Sequence, residues 1–241
     1  KKAESLSPTN PGGAGIGGGY YGDGHVIITG DAVIEEAQGG VQSAGIGGGQ
    51  GANGDVEISG NARIDKVTGG DYGAGIGSGL GESGAPCNGK VTIKDNAKIG
   101  LAQGGFGAAG IGGGYYYSNG YDDDDSTSGV GDVTIEGNTT VNAVGGLGAA
   151  GIGNGVNAID FGGAGDTKAN ITLEGKVTIV AKAGEDNAAI GDMNGEQVFN
   201  GLDGSITRYN SEGNDITLPT DPGYPVPADT PSSGGGSATP S

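Results

Sequence analysis

The sequence predicts an all-β chain: a single-stranded, right-handed parallel β-helix of about six coils of roughly 30 residues, with insertions on one edge. Three observations predict it. One glycine-rich string recurs at a fixed period, apolar residues between its copies alternate at every second position, and all length variation falls at one point of the repeat.

The string is Ala-Gly-Ile-Gly-x-Gly, found at Ala14–Gly19, Ala44–Gly49, Ala74–Gly79, Ala109–Gly114 and Ala150–Gly155, with a worn copy at Ala189-Ile190-Gly191. Its isoleucines, Ile16, Ile46, Ile76, Ile111, Ile152 and Ile190, are spaced 30, 30, 35, 41 and 38 residues apart. A second pattern keeps step: Val26-Ile27-Ile28, Val56-Glu57-Ile58, Val91-Thr92-Ile93, Val133-Thr134-Ile135 and Ile171-Thr172-Leu173, with Ile206 opening a last copy. Six residues further on come Ile34, Ile64, Ile99, Val141 and Ile179, each two after a small or apolar residue.

Each repeat therefore holds three short runs of period two, which is strand spacing rather than the 3.6 of a helix. Three short strands cannot bury a face alone. Stacking the copies in parallel register buries them, piling like residues into ladders about 4.8 Å apart, in a rod on the order of 25–30 Å long. Val26, Val56, Val91, Val133 and Ile171 form one inward ladder, Ile28, Ile58, Ile93, Ile135 and Leu173 a second, and the Ala/Ile pairs of the glycine string a third wall. In that third strand the glycines alternate outward and predict a stripe free of side chains. Asp31, Asn61, Asn96 and Asn138 share one turn position and predict an asparagine ladder.

From each valine to the next string isoleucine the distance holds at 19 or 20 residues, whereas from isoleucine to the next valine it runs 10, 10, 15, 22, 19 and 16. The extra length enters the loop after Gly-x-Gly, so these loops stack along one edge. The chain divides into a cap or leader over 1–11, the repeat domain over 12–218 and a Pro/Gly/Ser-rich linker or stalk over 219–241 leading to further domains of the polypeptide.

The composition limits the functions available. There are 59 glycines and no tryptophan, and the net charge of −18 speaks against nucleic acid and anionic membrane partners. No apolar run approaches the roughly 18 residues of a membrane span, so no membrane insertion is expected. Cys87 is the only cysteine, which rules out a disulfide framework.

Gly13–Gly19 and the Asp-Val-x-Ile-x-Gly-Asn-Ala run over Gly54–Ala62 resemble a repeat of large surface proteins of Gram-positive, often gut-dwelling, bacteria. The resemblance covers about residues 12 to 200. It implies a pectate-lyase-like β-helix, export to the cell surface or wall and attachment to other extracellular modules. It implies no particular activity and carries no catalytic residue onto this sequence.

Parallel β-helices often act on polysaccharides, which requires a base beside acidic groups or carboxylates flanking a glycosidic bond. Asp55, Lys90 and Asp132 start equivalent strands and form a candidate row; a surface charge ladder is the simpler reading. His25, the single histidine, has no triad or zinc motif attached. Asp122, Asp123, Asp124 and Asp125 can chelate calcium weakly through oxygen ligands; otherwise they are a solvated charge run, and no other cofactor is expected.

The most suggestive feature is aromatic. The chain has nine tyrosines and three phenylalanines, and Tyr20, Tyr21, Tyr115, Tyr116, Tyr117 and Tyr121 fall in the insertion loops, with Phe161 and Phe199. An amphipathic ring near water stacks on a sugar face while its hydroxyl bonds at the edge. The competing reading is that the rings only cover glycine-rich backbone. The expectation is a non-enzymatic surface β-helix binding glycan or host surface through these loops, with a polysaccharide-active enzyme and a passive spacer as the alternatives.

Overall fold

The computed structural model describes residues 2–4, 12–82, 87–117, 129–156, 168–185, 187–191 and 197–224. Among them there is no helix, and so none able to cross a membrane; the strands build three long parallel sheets of seven, six and six members and one short pair.

The first wall stacks Gly24–Ile28, Gly54–Ile58, Gly89–Ile93, Gly131–Gly137, Asn170–Gly175 and Gln197–Leu202. Register is kept coil by coil: Val26 faces Val56, Val56 faces Val91, Val91 faces Val133, and Val133 faces Ile171. The second wall stacks Lys2–Glu4, Val33–Gln38, Arg63–Thr68, Lys98–Gln103, Thr140–Val144, Thr178–Lys182 and Ser205–Tyr209. The third is made of two-residue Ile-Gly strands from Ile16–Gly17 to Ile190–Gly191. Val56, Ile58, Ile64 and Ile76 with their equivalents form one continuous buried core. Burying each such side chain contributes about 1.5–3 kcal/mol.

Two sequence expectations need correction here. Ile206 does not open a further first-wall strand: it pairs with Ile179 in the second wall, and the last first-wall strand is Gln197–Leu202. The last copy replaces Val-x-Ile by Gln197-Val198-Phe199, with Phe199 opposite Leu173, so the signature is lost and Ile206 falls seven residues later, in the second-wall position. The glycines of the third wall, moreover, are not an exposed stripe. Gly45, Gly47, Gly75 and Gly77 are buried. Gly47 has φ of 132°, and a Cβ there would overlap the carbonyl oxygen of Gly77 in the next coil. The string is glycine-rich because backbone packs on backbone at that corner, where no side chain fits.

The turn ladder is present. Asn61 Nδ2 donates to Asp31 Oδ1 at 2.9 Å, Asn96 Nδ2 to Asn61 Oδ1 at 3.2 Å, and Asn138 Nδ2 to Asn96 Oδ1 at 3.2 Å. Every amide donates in the same direction, and the row ends on a carboxylate that only accepts. A second ladder, not read from the sequence, runs along the opposite end of the first wall. There the amide N–H groups of Asn53, Asn88 and Val130 donate to the side-chain oxygens of Asp23, Asn53 and Asn88 at 2.8, 2.8 and 3.1 Å.

The second wall is one strand longer than the others at one end and is covered by the returning chain at the other, where an edge would otherwise stand open. Lys2–Glu4 adds a strand beside Val33–Gln38, with Lys2 Nζ 2.6 Å from Glu36 Oε2. At the other end the chain turns at Tyr209–Asp215 and returns over the last strand, with Ile206 N donating to the Pro222 carbonyl and Ile216 N to that of Arg208. Asp221 is buried. The body therefore runs to at least Tyr224, past the boundary that the proline content suggested at 219.

Candidate functional site

The first residues of the loops after the glycine string stack coil on coil, while the insertions over 83–86, 118–128 and 157–167 lie outside the described residues. Tyr21 N donates to the Gln50 carbonyl, Gly51 N to Leu80, Gly81 N to Tyr115 and Tyr116 N to Val156. Tyr20, Gln50, Leu80, Tyr115 and Val156 thus form one row along the edge, and Tyr21, Gly51, Gly81 and Tyr116 the next. Gly81–Glu82 and Tyr116–Tyr117 form the short parallel pair, which sets Tyr116 opposite Gly81 and Tyr117 opposite Glu82.

The candidate tyrosines divide by their surroundings. Tyr20 and Tyr21 are each 53% exposed and Tyr117 is 56% exposed. Tyr116 is fully buried, so it is no ligand platform. Strand alternation decides this: Tyr117 points outward and its neighbour inward, where the Tyr116 ring lies on Gly81 and next to Cys87. Tyr115 is half-buried, its ring resting on Gly107, and burial raises its phenol above the ordinary value, with smaller contributions from Tyr72 and Tyr117. Tyr21 covers Gly51. Covering glycine backbone and facing solvent are therefore two faces of the same rings. Tyr121, Asp122–Asp125 and Phe161 lie outside the described residues; Phe199 stands in the first wall, not in a loop.

Two further aromatics join the edge from the turn before the string, a place the sequence reading passed over. The Tyr72 ring packs on Phe106 at 5.5 Å between centroids and on Tyr115 at 5.2 Å. Phe106 is 46% exposed. The two limbs of the third-wall excursion run side by side, with Tyr115 N donating to the Tyr72 carbonyl. Residues more than thirty apart in sequence therefore meet, and only knowledge of the coil path could have grouped them.

The backbone at two of these tyrosines is strained. Tyr21 has φ of 55° and Tyr72 φ of 70°, in the left-handed region. The position equivalent to Tyr21 in the next coil is Gly51, and those equivalent to Tyr72 are Gln42, Gly107 and Gly148, all with the same sign of φ. A bulky residue there costs about 1–2 kcal/mol, so both rings are held against the local backbone preference.

Glu82 is the polar centre of the edge. Gln50 Nε2 donates to its Oε1 at 2.7 Å, and the Tyr21 hydroxyl reaches its Oε2 at 3.4 Å from two coils away. The Tyr21 phenol is pushed up to about 12, first by its hydrogen bond with Tyr20 and then by the Glu82 charge. Cys87, buried beneath, is also pushed up to about 12, chiefly by burial and then by Asp23 and Glu82.

The Asp55–Lys90–Asp132 row is also present in register, with His25 added at its end and Nδ1 of His25 3.2 Å from Asp55 Oδ2. All four are exposed at the edge of the first wall. Among the described residues no group of three or more His, Cys, Asp and Glu side chains converges as a metal would need. Comparison with family models, with curated proteins and with solved structures gives no match.

Proposed function

We propose that this chain is a non-enzymatic, extracellular, right-handed β-helix of about six coils that binds glycan through its stacked loop edge. The observation carrying the reading is the set of exposed rings on that edge, Tyr20 and Tyr21 in its first coil and Tyr117 three coils on, with Tyr115 of the Tyr72–Phe106–Tyr115 cluster two residues before Tyr117. Solvent-facing rings on a rigid solenoid offer stacking area without an ordering cost. Right-handed winding follows the general preference of parallel crossovers. Surface display and attachment to further modules rest on the repeat resemblance.

Enzymatic action would fall to the Asp55–Lys90–Asp132 row. That row is exposed at the edge of the first wall, the ordinary place of a solvated charge ladder, so binding is the better supported reading.

A glycan array together with a pectin panel, run with calcium and again with chelator, tests the reading. Saturable binding lost in Tyr21→Ala and Tyr117→Ala supports it. A folded protein that binds nothing on the panel overturns it in favour of a spacer, and released products that vanish in Asp55→Asn or Asp132→Asn overturn it in favour of an enzyme. Loss of binding in chelator alone would assign calcium a part.

A further inference from the structure

The loop edge differs from the rest of the molecule in charge as well as in aromatic content. The chain has eleven lysines and arginines, and none falls within residues 11–24, 39–54, 69–88, 104–131, 145–167 or 183–196, the segments that make the third wall and its loops. Those same segments carry Asp23, Asp71, Glu82, the Asp122–Asp125 run and Glu185. The basic residues concentrate on the other two walls, where they neutralise neighbouring acids: Lys2 and Lys66 at Glu36, Arg63 at Asp65, Lys94 at Glu57. Among the described residues no lysine or arginine pairs with Glu82.

The Glu82 carboxylate is half-exposed and holds one short hydrogen bond from Gln50 and one long one from Tyr21. A carboxylate offers about four acceptor directions, so it has capacity left. It lies between two exposed rings: Tyr117 is its register partner in the next coil, and Tyr21 reaches it from the other side. A carboxylate between two exposed tyrosines on a protein of net charge −18 is suited to an organic cation, because the carboxylate takes the ammonium and a ring quadrupole favours positive charge that settles over it. Anionic polysaccharide is repelled by the same field.

We propose that this edge selects a glycan bearing protonated amines, the ammonium seated on Glu82 between Tyr21 and Tyr117 and the adjoining sugar faces stacked on the rings. The proposal rests on the glycan-binding reading and adds the ligand class and the selecting residue. A sugar rather than a basic peptide is favoured because the tilted rings of the Tyr72–Phe106–Tyr115 cluster, whose Tyr115 lies two residues along the chain from Tyr117, add aromatic surface beyond the single charge.

The test compares titrations of a glucosamine oligomer, its fully N-acetylated counterpart and poly-lysine, against the wild-type chain, Glu82→Gln and Glu57→Gln. The expected result is tighter binding of the amine form, weakened about five- to tenfold by E82Q. Binding of the N-acetylated form should not respond to E82Q, and E57Q, the same charge change on the first wall, should alter neither. Should E82Q melt early, ionic strength takes its place: amine binding by the wild type falls with added salt, while the neutral oligomer is indifferent. Equal affinity for both oligomers, with no effect of E82Q or salt, overturns the amine selection and leaves glycan binding standing. No saturable binding of either oligomer overturns the amine selection, and a blank glycan panel with it overturns the glycan reading too. Poly-lysine bound as tightly, with the same E82Q loss, overturns the assignment to a glycan.

Discussion

Arg208 and Asp221 form a two-pronged ion pair at the closed end of the second wall, with Nε 2.7 Å from Oδ2 and Nη2 2.9 Å from Oδ1. Both side chains are buried, and Leu218 N donates to the same carboxylate at 2.8 Å. The pair fastens the returning segment 216–222 over the last strand. Removing one partner leaves the other charged and dry, so Asp221→Ala is expected to cost about 3–5 kcal/mol. Chemical denaturation measures the loss. A destabilisation under about 1 kcal/mol would mean the segment is not a structural cap.

The glycine string gives a paired expectation. Gly47→Ala sets a methyl group against the Gly77 carbonyl at a φ of 132°, whereas nothing lies within 4 Å of a Cβ at Gly19 and its φ is ordinary. Gly47→Ala should therefore cost more than about 3 kcal/mol or prevent folding. Gly19→Ala should leave the melting temperature within a few degrees of wild type. Equal effects at the two positions would show that the corner is looser than its geometry implies.

Tyr116 and Tyr117 are adjacent and should separate structure from binding. Tyr116→Ala empties a buried site over Gly81 and is expected to cost about 3–5 kcal/mol. Tyr117→Ala should change stability by less than about 1 kcal/mol while weakening any glycan bound at the edge. Thermal melts alongside binding titrations check both halves.

Cys87 gives a pH expectation. Its thiol is pushed up from 9.0 to about 12 because burial, helped by Asp23 and Glu82, disfavours the thiolate. The folded state thus prefers the protonated form. The associated stability is complete below about pH 9 and declines as pH rises towards 12. The folded protein should react with a thiol reagent at pH 8 only through unfolding, and denaturant should restore an ordinary rate. Fast labelling of the native protein would contradict the burial.

The asparagine ladder of the first turn gives a stability expectation. Asn96→Ala removes the donor to Asn61 and the acceptor from Asn138, and is expected to cost about 1–2 kcal/mol. Asn61→Asp would place a second acceptor against Asp31 and should destabilise at neutral pH, recovering as the carboxylates protonate in acid. Denaturation midpoints across pH distinguish the two effects.

Much of the architecture was legible in the residues, because a period of about thirty with alternating apolar positions has one economical way to bury its apolar face. Stacked in register, it places Val56 on Val26 and Asn61 on Asp31, and confines the insertions to one edge. Tertiary structure decided the rest. Period two cannot say which of two adjacent tyrosines turns inward, so Tyr116 and Tyr117 were indistinguishable until the pairing with Gly81 and Glu82 fixed their faces. Tyr72 and Phe106 joined Tyr115 only because the chain doubles back at each glycine string, a path set by backbone packed on backbone. Asp221, written in a proline-rich stretch that reads as linker, became part of the body only through Arg208, a partner thirteen residues back. Sequence period determined the coil, since it repeats what each coil buries. The edge, the cap and the position of Glu82 between two rings depend on contacts made once, and such contacts leave no period to read.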